Sequence, residues 1–224
     1  MLLSKKKRQE YLKYLGYYDG KIDGIIGVKT KEAYRKLQNE YFFRSKDKDG
    51  LYGKNTDILL RNAYAVKKYT KNFDLKNELA CHCHGKYCTG YPTILNDNLL
   101  IYLQEVRNEY GSTSVTSCLR CKTWNNLQGG VINSRHKKGK AVDIRNSKIC
   151  MNTKTKKDFI DKYILKDKAN YSYTYGYGRT KRYTTYPKTT SMRTSVHIDV
   201  KWKLIKIIEK QKNIWYNKGG KINE

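Results

Sequence analysis

The stretch Asn133-Ser134-Arg135-His136-Lys137-Lys138-Gly139-Lys140-Ala141-Val142-Asp143-Ile144 decides how the chain must fold, because it sets a histidine and an aspartate seven residues apart. Two such side chains can share one metal ion, whose ligand atoms lie ~2.0–2.2 Å from it. Seven extended residues would span ~23 Å, so the backbone has to fold back between His136 and Asp143. Gly139 lacks the Cβ that penalises positive φ and is expected to make that bend. Ala141-Val142-Asp143-Ile144 then reads as a short strand leaving the site. A third ligand has to come from elsewhere. The chain has four histidines, and His197 lies in Ser195-Val196-His197-Ile198-Asp199-Val200, an alternating run in which every second side chain shares a face.

Around this stretch the composition sets the frame. The 224 residues suffice for one core, or for a small domain joined to a larger one. With 47 Lys and Arg against 20 Asp and Glu, the formal charge of +27 is spread along the whole chain, a field that favours a polyanionic partner. Nucleic acid is one candidate, bound through counterion release, but the sequence carries no recognised nucleic-acid motif. The opening Met1-Leu2-Leu3-Ser4-Lys5-Lys6-Lys7-Arg8 lacks the apolar core of a signal peptide, and no stretch approaches the ~20 apolar residues of a membrane span. A soluble monomer without an export signal is expected. Six cysteines are too few for a dense disulfide framework.

Residues 5–69 contain an internal repeat. Asp23-Gly24-Ile25-Ile26-Gly27-Val28-Lys29-Thr30 recurs 26 positions later as Asp49-Gly50-Leu51-Tyr52-Gly53-Lys54-Asn55-Thr56. Each copy is a turn followed by a helical apolar period: Ala33, Leu37 and Tyr41 in the first, Leu59, Leu60 and Ala63 in the second. A helix carrying Tyr11, Leu12 and Leu15 precedes them and ends at Gly16. Lys67 to Lys76 reads as a basic linker. Cys81-His82-Cys83-His84-Gly85-Lys86-Tyr87-Cys88 then places five metal-capable side chains within eight residues. It lacks the second knuckle of a zinc ribbon or finger, and a second metal there is left open. Cys118 and Cys121 could likewise pair or bind metal.

Asn96 or Asp97 is expected to cap a helix with the stripe Leu99, Leu100, Leu103, Val106 and Tyr110, ended by Gly111. Thr113 to Ser117 reads as a strand. Further elements are expected as a helix around 154–164, a strand in the tyrosine-rich segment from Tyr171 to Gly178, and a basic amphipathic helix from Trp202 to Trp215 that docks on the sheet. The five tyrosines between 171 and 183 suit strand propensity or stacking on bases or sugars.

The pattern Ser-x-His-x-x-Gly-x-Ala-x-Asp, completed much later by His-x-Asp, resembles the zinc D-Ala-D-Ala carboxypeptidase and L-alanyl-D-glutamate endopeptidase family of peptidoglycan peptidases, the M15-like group with the hedgehog/DD-peptidase fold. Thr116-Ser117-Cys118-Leu119-Arg120-Cys121 is similar to that family's Ser-Gly-Tyr-Arg-Cys element, and Trp124-Asn125-Asn126-Leu127-Gln128-Gly129-Gly130 follows its Tyr-Asn-x-x-x-Gly-Gly pattern. The likeness runs from about Phe73 to about Trp202. It implies Zn2+ held by His136, Asp143 and His197 with a fourth position left to water, Arg120 as a substrate and transition-state contact, and Ser134 helping to hold substrate. The segment Leu15 to Gly24 resembles the three-helix peptidoglycan-binding module found beside many wall hydrolases.

Together these readings give an α+β protein: a helical peptidoglycan-binding domain over 1–70 and a zinc metallopeptidase domain over 71–224, built on a central antiparallel sheet. Zinc with three protein ligands lowers the pKa of its water to ~7 and polarises a peptide carbonyl, while the Arg120 fork suits an oxyanion or a carboxylate. Family members often carry an acidic residue three positions before the last histidine or a histidine two before it; here those positions are Thr194 and Ser195. Asp199 is therefore assigned as general base or as partner of a ligand histidine, with Asp158, Asp161 or another carboxylate brought close by folding as the alternative acid. The implied partner is the peptidoglycan of a Gram-positive wall, with anionic wall polymers matching the charge. A wall module and a peptidase without a signal peptide fit a phage endolysin, held in the host cytoplasm until lysis. A catalytically silent wall-binding protein with a structural zinc and a basic nucleic-acid-binding protein are the alternatives.

Overall fold

Three helices open the chain in the computed structural model, which describes residues 1–151, 171–174 and 196–200. They are α1 (Lys5–Leu15), α2 (Val28–Tyr41) and α3 (Lys54–Tyr69). Ser4 caps α1 through its side chain and Gly16 ends it in the left-handed conformation, as the sequence led us to expect. Leu12, Ala33, Leu37, Leu59, Leu60 and Ala63 are buried and form the shared core of the three.

What closes the two repeat turns is a pair of buried glutamines. Gln9 Nε2 donates to Asp23 Oδ1 (3.0 Å), the Ile25 carbonyl (3.0 Å) and Thr30 Oγ1 (3.4 Å), while its Oε1 accepts from the Gly24 N–H (2.7 Å). Gln38 repeats this on Asp49 Oδ1 (3.0 Å), the Leu51 carbonyl (2.9 Å), Thr56 Oγ1 (3.0 Å) and the Gly50 N–H (2.6 Å). Both glutamines are fully buried. Each therefore matches its donors and acceptors inside the chain, which is what makes a buried amide tolerable.

The expected linker is more structured than its polar composition suggests. Helix α3 continues to Tyr69, a short π-helical turn spans Leu75–Leu79, and Phe73 and Leu75 are buried. The Lys71 N–H donates to Gln104 Oε1 at 2.8 Å. Two apolar residues among the lysines are enough to seat the segment on the core.

Helix α4 (Asp97–Tyr110) is capped by Asn96, whose side chain accepts from the N–H groups of Asn98 and Leu99. Leu99, Leu100, Leu103 and Val106 have no exposed surface, and burial of such side chains stabilises by about 1.5–3 kcal/mol each. There follow β1 (Ser114–Ser117), α5 (Lys122–Leu127), a 3-10 turn (Arg135–Lys138), β2 (Ala141–Arg145), α6 (Ser147–Met151), β3 (Tyr171–Thr174) and β4 (Val196–Val200). The four strands form one antiparallel sheet in the order β1-β2-β4-β3. The fold is α+β.

The sheet is two-faced. Val142 pairs with Ile198 and Ile144 with Val196, whereas Ala141 pairs with Asp199 and Asp143 with His197. Successive residues alternate between faces, so the first set forms an apolar layer, with Val142, Ile144, Ile198 and Val200 buried in the core, and the second set shares the opposite face. Tyr171 and Tyr173 pair with Val200 and Ile198, in register with the apolar set. The expected helices at 154–164 and 202–215, the rest of the tyrosine-rich segment, and Asp158, Asp161 and Thr194 lie outside the described residues.

Buried asparagines fasten these parts. Asn146 Nδ2 donates to the Ser112 carbonyl (2.9 Å) and to Thr113 Oγ1 (2.8 Å), tying the end of β2 to the start of β1. Asn62 of α3 donates to the Thr93 carbonyl at 3.0 Å and accepts from the Leu95 N–H at 2.8 Å, holding the segment on which Gly139 rests.

Candidate metal centre

The bend expected at Gly139 is present. Its φ is +64°, and a Cβ there would run into the Ile94 carbonyl oxygen, so both the conformation and the space demand glycine. The Gly139 N–H closes the 3-10 turn on the His136 carbonyl at 3.3 Å, and its own carbonyl accepts from the Asn96 N–H at 2.9 Å. His136 is thereby folded back over β2, 3 % exposed, with its Nε2 3.4 Å from Asp143 Oδ1.

The other ring nitrogen fixes what that contact means. His136 Nδ1 lies 2.7 Å from the Cys118 carbonyl oxygen, an acceptor only, so Nδ1 carries the proton and donates. In a neutral ring this leaves the Nε2 lone pair aimed at a carboxylate oxygen. Two acceptors turned toward each other in this way can share a cation, a proton or a metal. A charged hydrogen bond would draw them to ~2.7–2.9 Å, whereas two ligands of a tetrahedral ion with bonds of ~2.1 Å lie ~3.4 Å apart. The observed separation fits a metal, and a carbonyl behind the distal nitrogen is the usual outer partner of a ligating histidine.

Asp143 is held from its other side. Arg120 Nη2 donates to Asp143 Oδ2 at 2.7 Å, and Arg120 Nε donates to Ser117 Oγ at 2.7 Å. The side chains of Arg120 and Asp143 are 15 % and 20 % exposed, partly shielded but open enough for a ligand. Arg120 thus orients the carboxylate as well as bringing positive charge to the site. His197 stands opposite Asp143 in the β2–β4 register, and Asp199 stands opposite Ala141 and Ser172. Directly paired positions on one face have Cβ atoms ~4.5–5.5 Å apart, which brings the third expected ligand position beside the second.

Ser134 is buried and directly precedes the 3-10 turn; its N–H donates to the Val131 carbonyl at 3.0 Å and its carbonyl accepts from Lys137. Asn125, of the Trp-Asn-x-x-x-Gly-Gly element, is fully buried and closes the preceding loop by donating to the carbonyls of Gly130 (3.0 Å) and Val131 (3.1 Å). Cys118 is wholly enclosed; burial, reinforced by the Asp143 charge, pushes its thiol well above the ordinary range, so its backbone oxygen and not its sulfur serves the site. That carbonyl leaves no side-chain signature in the sequence, whereas Ser117, which Arg120 reaches through Oγ, is the serine of the Ser-Gly-Tyr-Arg-Cys-like element.

With this geometry in view, comparison with known families is decisive: the Peptidase M15 profile matches residues 71–199. The chain belongs to the Peptidase M15 family. A second profile, for a peptidoglycan binding domain, matches residues 6–60 of this M15 protein. Among curated relatives, the spore cortex-lytic enzyme of Bacillus subtilis (strain 168) is 36% identical over 86 residues, covering 38% of this chain and 27% of the enzyme. The spore cortex-lytic enzyme of Oceanobacillus iheyensis is 37% identical over 78 residues, covering 34% of this chain and 27% of the enzyme. The matches therefore span little more than a quarter of those relatives' length. No solved structure matches the chain. Among the described residues no helix is long and apolar enough to cross a membrane.

Proposed function

We propose that this M15 protein is a peptidoglycan hydrolase of the endolysin type. Its region 1–70 holds the wall, and its region 71–224 cleaves a stem-peptide bond, either L-Ala–D-Glu or the terminal D-Ala–D-Ala. The observation that carries the reading is the 3.4 Å approach of His136 Nε2 to Asp143 Oδ1 with Nδ1 already committed to the Cys118 carbonyl. Family membership and the match to a peptidoglycan binding domain support it, as do relatives named as cortex-lytic enzymes.

His136, Asp143 and His197 would hold Zn2+, which when bound supplies an activated water near neutral pH and polarises the peptide carbonyl. The chain's own residues do the rest. The Cys118 carbonyl fixes the His136 tautomer, and Arg120 keeps Asp143 turned toward the histidine while its positive charge favours a developing oxyanion or a substrate carboxylate. Asp199, two residues beyond His197 on the same strand and in register with Ala141, is the carboxylate we assign to accept a proton. Ser134, at the base of the turn that carries His136, contributes to holding substrate. The cationic chain, at +27, suits a wall rich in carboxylates and anionic polymers.

The test is release of free amino groups from purified Gram-positive peptidoglycan, with and without a chelator, beside His136→Ala. Chelator-sensitive release that vanishes in the variant is expected, and mass spectrometry of the new ends names the bond. Retention on sacculi with no new ends across wall types would overturn catalysis and leave a wall-binding protein.

A further inference from the structure

A second cluster of metal-capable side chains stands apart from the His136 centre. Cys81, Cys83 and Cys88 come from one loop and Cys121 from the start of α5, yet their four sulfurs all lie within 4.8 Å of one another. All four are free thiols. Cys83 and Cys88 are 3.5 Å apart. Sulfurs around one tetrahedral zinc, with bonds of ~2.3 Å, are separated by ~3.8 Å, so the cluster already has nearly the dimensions of a four-thiolate site. Cys81, Cys83 and Cys121 are buried and Cys88 is half-buried.

The surrounding backbone is arranged for thiolates. The Cys121 N–H points at Cys81 Sγ (3.4 Å), the Gly90 N–H at Cys88 Sγ (3.3 Å) and the Trp124 N–H at Cys121 Sγ (3.4 Å). Such donors stabilise negative charge on sulfur and do little for a neutral thiol, a weak acceptor. The loop is closed upon itself: the Cys81 N–H reaches the Gly90 carbonyl at 2.8 Å, His84 the Cys81 carbonyl at 3.1 Å and Lys86 the Cys83 carbonyl at 2.9 Å. His84 sits at φ +46°, an uncommon conformation for a residue other than glycine, kept where the surroundings over-determine it.

We propose that Cys81, Cys83, Cys88 and Cys121 bind a second, structural zinc. Four protein sulfurs leave no open position, so this ion holds the fold together and takes no part in hydrolysis. Its place says what it holds. Cys121 follows Arg120 directly, the Leu119 N–H donates to the Leu79 carbonyl at 3.2 Å, and the Cys118 carbonyl accepts from His136. The ion pins to the 81–90 loop the same short segment that supplies Arg120 and the His136 anchor. His82 and His84 belong to the loop but not to the cluster; His84 packs edge-on against Phe43.

Zinc stoichiometry of the full chain, purified under reducing conditions, tests this by elemental analysis and native mass spectrometry. Two zinc ions per chain are expected in the wild type, one in His136→Ala and one in Cys121→Ser. Cobalt substitution of His136→Ala adds a readout that needs no cysteine variant: an intense near-ultraviolet thiolate-to-cobalt band is expected. If His136→Ala carries no zinc and shows no such band, or peptide mapping finds these cysteines joined in disulfides, the second site is overturned. A wild type with one zinc that survives His136→Ala but is lost in Cys121→Ser would uphold this site and count against the His136 centre.

Discussion

The glutamine pockets of the helical region and the His136–Asp143 centre are both buried polar clusters, built on opposite principles. Around Gln9 and Gln38 every donor meets an acceptor of the chain, from Asp23 and Thr30 in one copy to Asp49 and Thr56 in the other. At His136 the Arg120 guanidinium donates to Asp143 from behind, and the Nε2 of His136 approaches the other carboxylate oxygen in front. A cluster that closes upon itself shapes the fold; one whose lone pairs converge has the geometry that a metal ligand set needs. The same contrast separates the cysteine group, where backbone N–H groups aim at sulfurs that converge on one point.

The largest effect expected from breaking this contrast is at Asp143. Asp143→Asn removes the ligand charge and the partner of Arg120 together. Peptidoglycan cleavage is expected to fall by at least about a thousandfold, with circular dichroism unchanged; full activity in this variant would remove Asp143 from the centre. Arg120→Lys sharpens the assignment, because lysine cannot reproduce the fork between Asp143 and Ser117. A loss of about 10- to 100-fold in activity together with weaker zinc binding is expected if Arg120 orients the ligand, and unchanged zinc affinity would reduce it to a substrate contact. Gln38→Leu addresses the self-satisfied side. It strands the buried Gly50 N–H, at about 1–3 kcal/mol of stability. A lower Tm with unaltered zinc content is the expected outcome, and loss of zinc would show the two regions to be one unit.

How much of this was legible beforehand depended on whether the chemistry lay in side chains at fixed spacing. The bend at Gly139 and the return of His136 toward Asp143 were readable because a turn and a strand constrain one short stretch, and the α4 stripe because period and cap agree. The glutamines were not. They stand 29 positions apart while the turns repeat at 26, so a search for the turn motif passes over the groups that fill it. Cys121 follows Cys88 by 33 positions, and only the fold shows that it completes the cysteine loop. The Cys118 carbonyl is backbone and has no residue-type signal at all. That the segment at 67–76 packs on the core was not legible, because its lysines outnumber Phe73 and Leu75, whose burial decides its place.

Hydrolysis by this chain as proposed requires a metal between His136 and Asp143. Anomalous diffraction from crystals of the full chain, recorded at the zinc edge, measures that without reference to activity. A peak about 2.1 Å from both His136 Nε2 and Asp143 Oδ1, with His197 as the third ligand, is the predicted result. A map from zinc-supplemented protein with no peak there, and His136 joined to Asp143 by an ordinary hydrogen bond, would contradict it.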